Sequence, residues 1–320
     1  MTLKTKKQQE RMKAQTFGVE IEMYGIDRLK AAELIAAKLG GHASDPEGYP
    51  YFTQTIKDEE GREWKVMRDG SIRAMDSQKT ELVTPPLTWK DIEPLQDIVR
   101  SLRKAGAKSD PDHDCGVHVH IGVDGHTAQS LRTLANIMAG HESLLIDALK
   151  ISRNRTGQWC KPVDPNFLRA INREKPKSMH GMADIWYNTQ LSYGNRYSHY
   201  NRTRYHILNL HGAFEGAYFN HTVEFRLFQF DNPSRTYKGG LHAGKLKTFI
   251  QLSMALSQAA KDLKTASPKE PQHENPKFAM RTWLIRMGMS GDEFKTARDL
   301  LTRNLAGDAA WRHGRPESAA

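Results

Sequence analysis

Apolar and polar residues alternate in several short segments of this chain. In TFGVEIEMYG, residues 16–25, every second residue from 17 to 23 is apolar, and Glu20 and Glu22 lie between these positions. Successive side chains of a strand point to opposite faces. The segment is therefore predicted to be a half-buried strand that carries Glu20 and Glu22 on its polar face.

Two further segments repeat this arrangement. CGVHVHIG ends at residue 122 and contains His118 and His120, and HTVEFRLFQF ends at residue 230 and contains Glu224 and Arg226. Each polar pair must share one face of its strand because the side-chain period of a strand is two residues. Three predicted strands therefore each present two ionisable side chains on a single face.

Other segments complete the set of predicted elements. The range 49–84 indicates short strands with turns, within WKVMRDGSI and TELVTPPL, and the second of these carries Glu81 and ends at two prolines. RYHILNL is predicted to be a further strand. Helical periodicity predicts helices in IDRLKAAELIAAKLGG and at about 88–104, 127–150, 237–263 and within 278–314.

The order of these elements predicts the fold class. The strands are joined by hairpins or long excursions, and the helices do not form repeated βα units, which favours an α+β fold with a largely antiparallel sheet. The range 151–203 is polar and is expected to be rich in loops. The predicted divisions are a basic, mobile N-terminal arm at 1–15, a main domain at 16–264, a linker at 265–277 and a small helical tail at 278–320.

Composition narrows the class of protein. With 320 residues, 38% of them apolar and 26% charged, the chain has ordinary globular composition. It contains no apolar run of membrane-spanning length and no apolar signal segment, so we expect a soluble, cytoplasmic protein without a membrane partner. Its two cysteines agree with a reducing compartment. The net charge of +10 favours anionic partners, including nucleic acids, nucleotides and carboxylates.

The polar strand faces have two interpretations. Alternation is typical of any half-buried strand whose polar side faces solvent. Glutamate is depleted in strands, however, and paired glutamates on one face repel each other, which favours a site where cations bridge them. Carboxylates with an imidazole suit Mg²⁺ or Mn²⁺, whereas the two histidines alone would also suit zinc. Cys115 is interpreted as a packing residue.

A second cluster follows the loop-rich range. YGNRYSHYNRTRYHILN, residues 193–209, interleaves arginines with tyrosines and asparagines. Such a segment could hold phosphates or carboxylates, lie on the surface as a polar excursion, or stack on single-stranded nucleic acid, and we rank a substrate loop first and nucleic acid last. The chain has no GxxxxGK[ST] or GxGxxG phosphate loop, so a nucleotide would be held through metals and arginines.

In order along the chain, FGVEIE, RDGSI, TELVTPPL, CGVHVHIG, RYHILNL and TVEFRLF resemble the amidoligase family. This family belongs to the carboxylate-amine ligase superfamily of glutamine synthetase and glutamate-cysteine ligase. The resemblance extends from about residue 16 to 264. It implies a curved antiparallel sheet that forms a cup, as in the catalytic domain of glutamine synthetase, with ATP at one end and two or three Mg²⁺ or Mn²⁺ ions on its base.

The resemblance also implies which residues bind the metals. Glu20, His118 and Glu224 would hold one ion. Glu22 and Glu81 would hold the other.

Further roles implied by the resemblance concern ATP and the substrate. His120 would lie near the ATP phosphates, and Arg226 would contact the transferred phosphoryl group or the substrate carboxylate. Arg204 is a weaker candidate for phosphate binding. Asp69 and Ser71, in RDGSI, would lie at the rim of the site.

The implied reaction is ATP-dependent amide formation through an acyl phosphate that an amine attacks. The acid and the amine could be small molecules or peptides, and an oligomer is compatible with the sequence. Two alternatives stay open: a metal-dependent hydrolase that uses His118, His120 and Glu224, and a basic nucleic-acid-binding protein that uses residues 193–209 and the N-terminal arm.

Overall fold

A seven-stranded antiparallel sheet organises the chain in the computed structural model. The structure describes residues 3–189, 196–198, 201–214, 220–235, 239–271 and 274–313. The strands are β1 (Phe17–Met23), β2 (Gln54–Lys57), β3 (Glu63–Met67), β4 (Thr80–Val83), β5 (Val117–Gly122), β6 (Leu208–Asn209) and β7 (Thr222–Phe228). Their order in the sheet is β2-β3-β4-β1-β5-β7-β6, with antiparallel pairing throughout.

Ten α-helices lie in the described parts of the chain. They are α1 (Leu3–Lys13), α2 (Arg28–Leu39), α3 (Ile92–Lys104), α4 (Ala128–Leu149), α5 (Arg153–Gln158), α6 (Pro165–Glu174), α7 (Met179–Thr189), α8 (Ala243–Asp262), α9 (Pro276–Arg286) and α10 (Lys295–Thr302). This mixture of helices and an open antiparallel sheet confirms the predicted α+β class. The two ends of the sheet, β2 and β6, do not pair with each other.

Helix α8 lies at the centre of the hydrophobic core. It packs on β5, and α1, α3, α4 and α10 pack around it. The apolar residues of the central strands are buried against this helical layer, and Phe228 stacks on Phe249 of α8 with ring centroids 4.6 Å apart. The helices therefore cover the apolar face of the sheet, and the alternating polar side chains point away from them.

The predicted mobile arm at residues 1–15 is instead largely helical and packed over its described part, residues 3–15. Met12 is fully buried, and Gln15 donates a hydrogen bond to the carbonyl of Met254 in α8 at 2.9 Å. Gln9 donates to the carbonyl of Gly288 at 2.7 Å. The basic charge of this segment suggested a solvated arm, but its uncharged residues form one buried stripe along a helix.

The prediction of a loop-rich range at 151–203 was also wrong for the described residues. Helices α5, α6 and α7 occupy much of it, because a few apolar side chains, among them Phe167, Ile171 and Trp186, are buried beneath a polar surface. Helix α8 begins six residues later than predicted. Gly239 and Gly240 have φ values of 58° and 68°, which interrupt a right-handed helix at that point.

Within the part of the chain that the structure describes, no helix combines the length and the apolar character that a membrane crossing requires.

The packing of α1 predicts a specific loss of stability. Met12→Ala should lower the free energy of unfolding by about 2–5 kcal/mol, because it leaves a cavity under α1. Leu3→Ala is the matched control: Leu3 is 72% exposed in the same helix, and its truncation should change stability by less than about 0.5 kcal/mol. Chemical denaturation measures both values. Equal, negligible effects would show that α1 is not part of the core.

Candidate active site

The register of the central strands brings the predicted polar pairs together. Glu20 of β1 lies opposite His118 of β5, and Glu22 of β1 lies opposite Glu81 of β4. On the other side of β5, His120 lies opposite Glu224 of β7. We call the side of the sheet that carries these six residues the polar face.

One group of potential ligands contains a histidine. Glu20, His120 and Glu224 each offer a ligand atom, and these atoms lie within 4.8 Å of one another; we call them the histidine cluster. His120 Nε2 is 3.1 Å from Glu20 Oε1 and 3.9 Å from Glu224 Oε1. His120 Nδ1 is 3.0 Å from the hydroxyl of Thr222. His120, expected near the phosphates, therefore joins a potential metal site.

His118 lies close to three of the carboxylates on the polar face. Its Nδ1 is 2.7 Å from Glu20 Oε2 and 3.6 Å from Glu224 Oε1, and its Nε2 is 3.9 Å from Glu22 Oε1. His118 is thus surrounded by three carboxylates that were expected to bind metals. It is buried, whereas His120 is partly exposed.

A second group consists of acids alone. Glu22, Asp69 and Glu81 offer ligand atoms within 4.8 Å of one another, and we call them the three-acid cluster. Asp69 comes from the loop after β3, and its carboxylate accepts a hydrogen bond from the main-chain N–H of Ser71 at 2.6 Å. Asp69 was expected only at the rim, so its place beside Glu22 and Glu81 enlarges the predicted ligand set.

Arginine and asparagine side chains hold Glu224. Arg226, which is 4% exposed, donates to Glu224 Oε1 at 2.5 Å, and Asn209 of β6 donates to Glu224 Oε2 at 2.6 Å. The guanidinium of Arg226 also lies 5.8 Å from the ring centroid of Tyr205, and that of Arg204 lies 6.0 Å from the same centroid. Both predicted arginines therefore lie close to one tyrosine beside the acidic site.

The three-acid cluster resists full ionisation. Burial and the charge of Asp69 raise the pKa of Glu22 to about 7, against the opposing effects of Arg155 and of the Gly116 N–H, which donates to Glu22 Oε2 at 2.5 Å. Burial and the charges of Glu20, Asp69 and Glu22 raise the pKa of Glu81 well above its ordinary value, although Arg204 opposes them. A bound cation would offset the repulsion among these three acids.

The histidine cluster has the opposite electrostatic character. Burial alone would raise the pKa of Glu224, but Arg226, His120 and His118 outweigh it and lower that pKa to about 2. His120 and His118 likewise outweigh burial at Glu20 and hold its pKa well below the ordinary value. Burial and Arg226 lower the pKa of His118 to about 4, so this imidazole is neutral at pH 7.

These donors fit divalent cations. Buried carboxylates that repel each other, with one imidazole among them, match the preference of Mg²⁺ and Mn²⁺ for oxygen ligands, and Mn²⁺ also accepts the nitrogen. Structural zinc sites favour Cys and His ligands, and among the described residues neither cluster of potential ligands contains Cys115 or Cys160. The close approach of three acids that oppose each other's ionisation is the observation that supports this fit.

The arginine-rich segment at 193–209 is only partly described. Tyr193 and Tyr200 lie outside the described residues. Arg196 pairs with Asp184 at 3.1 Å and lies over the ring of Tyr187, so it is engaged with α7. Arg204, another arginine of the segment 193–209, lies towards the acidic site.

Three residues of the site escaped the sequence analysis. Asn209 lies on a two-residue strand, Thr222 begins β7, and Arg155 comes from α5 within the range that was expected to be loops. A signal for Arg155 exists in the sequence: Gly116 occupies a polar-face position of CGVHVHIG, and a glycine inside a strand often marks the close approach of another group.

Three comparisons with known proteins show what this chain is similar to. The family model described as "Putative amidoligase enzyme" matches residues 13–257. No curated protein matches the chain. The structure is similar to the crystal structure of a bifunctional glutathione synthetase from Pasteurella multocida, with a TM-score of 0.45 and 14% sequence identity. The match covers 95% of this chain and 49% of that one, so this chain spans about half its length.

The pKa of Glu22 predicts how stability depends on pH without metal. Because the folded pKa is raised to about 7, the folded state retains a proton that the unfolded state releases near pH 4.5, and stability is lost as pH rises between these values. In EDTA, the free energy of unfolding of the wild type should fall between pH 5 and pH 8 by on the order of 3 kcal/mol more than that of Glu22→Gln. Urea denaturation across this range measures the difference, and a constant difference would contradict the prediction.

Proposed function

The chain belongs to the amidoligase family, and from this premise we propose that it is an ATP-dependent carboxylate-amine ligase that uses Mg²⁺ or Mn²⁺. The observation that carries the proposal is the pairing of two ligand clusters with buried arginines on one face of the sheet. Carboxylates can hold cations, and arginines can meet phosphate or carboxylate oxygens. Phosphoryl transfer to a carboxylate needs both kinds of group.

In this proposal each cluster holds one divalent cation. The histidine cluster binds one ion, and the three-acid cluster binds the other. Bound ions would neutralise the phosphate charge of ATP and align the attacking and leaving oxygens. His118 is buried among Glu20, Glu22 and Glu224. In this proposal it orients these carboxylates and does not itself bind an ion.

The arginines act on the transferred group in the proposed reaction. Arg226 is fixed by Glu224, so its guanidinium is held in one place to contact the phosphoryl group or the substrate carboxylate. Arg204, whose guanidinium is 6.0 Å from the ring centroid of Tyr205, binds a phosphate in this proposal. Ser71, at the end of the Asp69 loop, lies at the rim where the nucleotide enters.

The proposed chemistry proceeds in two steps. A carboxylate oxygen attacks the γ-phosphorus of ATP, the bond from that phosphorus to the bridging oxygen breaks, and ADP leaves. The nitrogen of an amine then attacks the acyl carbon, a C–N bond forms, inorganic phosphate leaves, and the amine releases a proton to water. The product is an amide, and one ATP becomes ADP and phosphate.

The finer description of the protein belongs to the same proposal. The catalytic domain covers residues 16–264, with a linker at 265–277 and a helical tail at 278–320. Its sheet is curved into a cup, like the catalytic domain of glutamine synthetase. The substrates are a carboxylic acid and an amine, either small molecules or peptides. Two buried free cysteines support a cytoplasmic location.

Nucleotide binding tests this proposal without knowledge of the substrates. ATP with Mg²⁺ should raise the melting temperature of the wild type. At an ATP concentration of 100 times the dissociation constant, the free energy of unfolding increases by about 2.7 kcal/mol. Glu20→Ala should remove the gain because it deletes a ligand of the histidine cluster. Glu93→Gln, an exposed carboxylate of α3, is the control and should keep the gain.

The outcomes of this experiment separate the alternatives. Equal responses of the wild type and Glu20→Ala, each folded without ligand, would reject the ligase. Strong stabilisation by metal alone, unchanged by nucleotide, would favour the hydrolase.

The identity of the nucleotide product tests the acyl phosphate. With hydroxylamine as the amine and a panel of carboxylic acids, the enzyme should form a hydroxamate together with ADP and inorganic phosphate in equal amounts. Chromatography of nucleotides and colorimetric detection of the hydroxamate measure these products. Release of AMP and pyrophosphate would instead indicate an acyl adenylate and would contradict the proposed intermediate.

A further inference from the structure

Arg155 lies on the polar face, in the place that the missing side chain of Gly116 leaves open directly before β5. The register that pairs Glu20 with His118 continues for two residues, because the N–H of Glu22 donates to the carbonyl of Gly116 at 3.1 Å. Gly116 therefore lies opposite Glu22, in the same row as His118. A side chain at this position would point towards the three-acid cluster.

The guanidinium of Arg155 fills this place. A Cβ atom built on Gly116 would lie 2.5 Å from Cζ of Arg155 and closer still to both terminal nitrogens. Such contacts do not occur between real atoms, so any larger residue at position 116 would displace the guanidinium. Glycine at position 116 therefore leaves the space that the Arg155 side chain, from α5, occupies.

Arg155 is a buried charge that forms no ion pair with a carboxylate of the described residues. It is 1% exposed, and among the described residues no carboxylate oxygen forms an ion pair with it. One terminal nitrogen donates to the carbonyl of Arg226 at 2.8 Å, and Nε has no partner in the described parts of the chain. An apolar side chain would fill the same space at a lower cost of desolvation. The charge therefore indicates a role beyond packing.

The contacts of Arg155 connect two parts of the site. It packs against Gly116, whose N–H holds the Glu22 carboxylate, and it bonds to the main chain of Arg226, whose side chain holds Glu224. Gly116 directly precedes β5, and Arg226 belongs to β7. These two strands lose regular pairing at a register shift between Val117 and Val119. A single guanidinium thus fixes the main chain on both sides of an irregular point.

We propose that Arg155 is a positioning residue of the three-acid cluster: it replaces the side chain that Gly116 lacks and holds the Glu22 carboxylate in place for a divalent cation. This inference rests on the proposed metal-binding function of that cluster. It assigns a role to α5, which carries none of the residues that the family motifs contain.

Binding of Mn²⁺ alone, measured by calorimetry on the full chain, tests the proposal. Arg155→Met should weaken binding by roughly 10- to 100-fold, the usual cost of losing a group that orients a metal ligand. Arg155→Lys keeps the positive charge but lacks the planar guanidinium with its two terminal nitrogens. Its Mn²⁺ affinity should therefore lie between those of Arg155→Met and the wild type. Gly116→Ala keeps Arg155 in the chain but displaces its guanidinium, so it should weaken binding in the same way. Each variant is compared at a temperature at which it is folded.

Unchanged affinity in folded Arg155→Met and Gly116→Ala would show that Arg155 only packs. Tighter binding in Arg155→Met would show that its charge merely repels the cation. Both results overturn the proposal.

A second measurement does not depend on metal. In EDTA at pH 8, the rise in melting temperature caused by Glu22→Gln should be at least twice as large in the Arg155→Met background as in the wild type, because the carboxylate then lacks its balancing charge. The control, Glu93→Gln, should have the same effect in both backgrounds. Additive effects of Glu22→Gln would overturn the assignment. A wild type that binds no Mn²⁺ would contradict the proposed function, and this cycle would then decide the role of Arg155 alone.

Discussion

The pairing of β1 with β4 and β5 is the constraint on which the whole site depends. It places Glu20 beside His118 and Glu22 beside Glu81, and β7 extends the same row with Glu224. A slip of one residue would turn every one of these side chains into the helical core and would expose the apolar residues. The packing of α8 on the apolar face therefore fixes the position of the polar groups on the other side.

Charge divides this face into two parts of different character. At the histidine cluster, Arg226 and the neighbouring imidazoles stabilise the ionised form of Glu20 and Glu224. At the three-acid cluster, Arg155 and Arg204 oppose the repulsion only in part, so Glu22 and Glu81 retain protons more strongly than isolated glutamates do. A bound cation would displace these protons, and the second cluster has the larger need for one.

Much of this site could be predicted from the sequence because a strand has a fixed period. Alternation alone placed Glu20 with Glu22 and His118 with His120, and the structure brings these pairs together. Other features depend on contacts between distant segments. Asp69 reaches the acids from a loop, and Arg155 arrives from a helix inside a polar range. Gly116 signals only that some group approaches β5, so no local pattern identifies either residue as part of the site. The basic charge of α1 likewise concealed a buried stripe, since charge describes the surface of a helix and not its packing.

Anomalous diffraction from crystals grown with Mn²⁺ and a non-hydrolysable ATP analogue tests the central claim most directly. The proposed ligase predicts one ion bound by the histidine cluster and one by the three-acid cluster, with the nucleotide phosphates beside them and towards Arg226. Ordered nucleotide at another place, or crystals with Mn²⁺ at neither cluster, would contradict it.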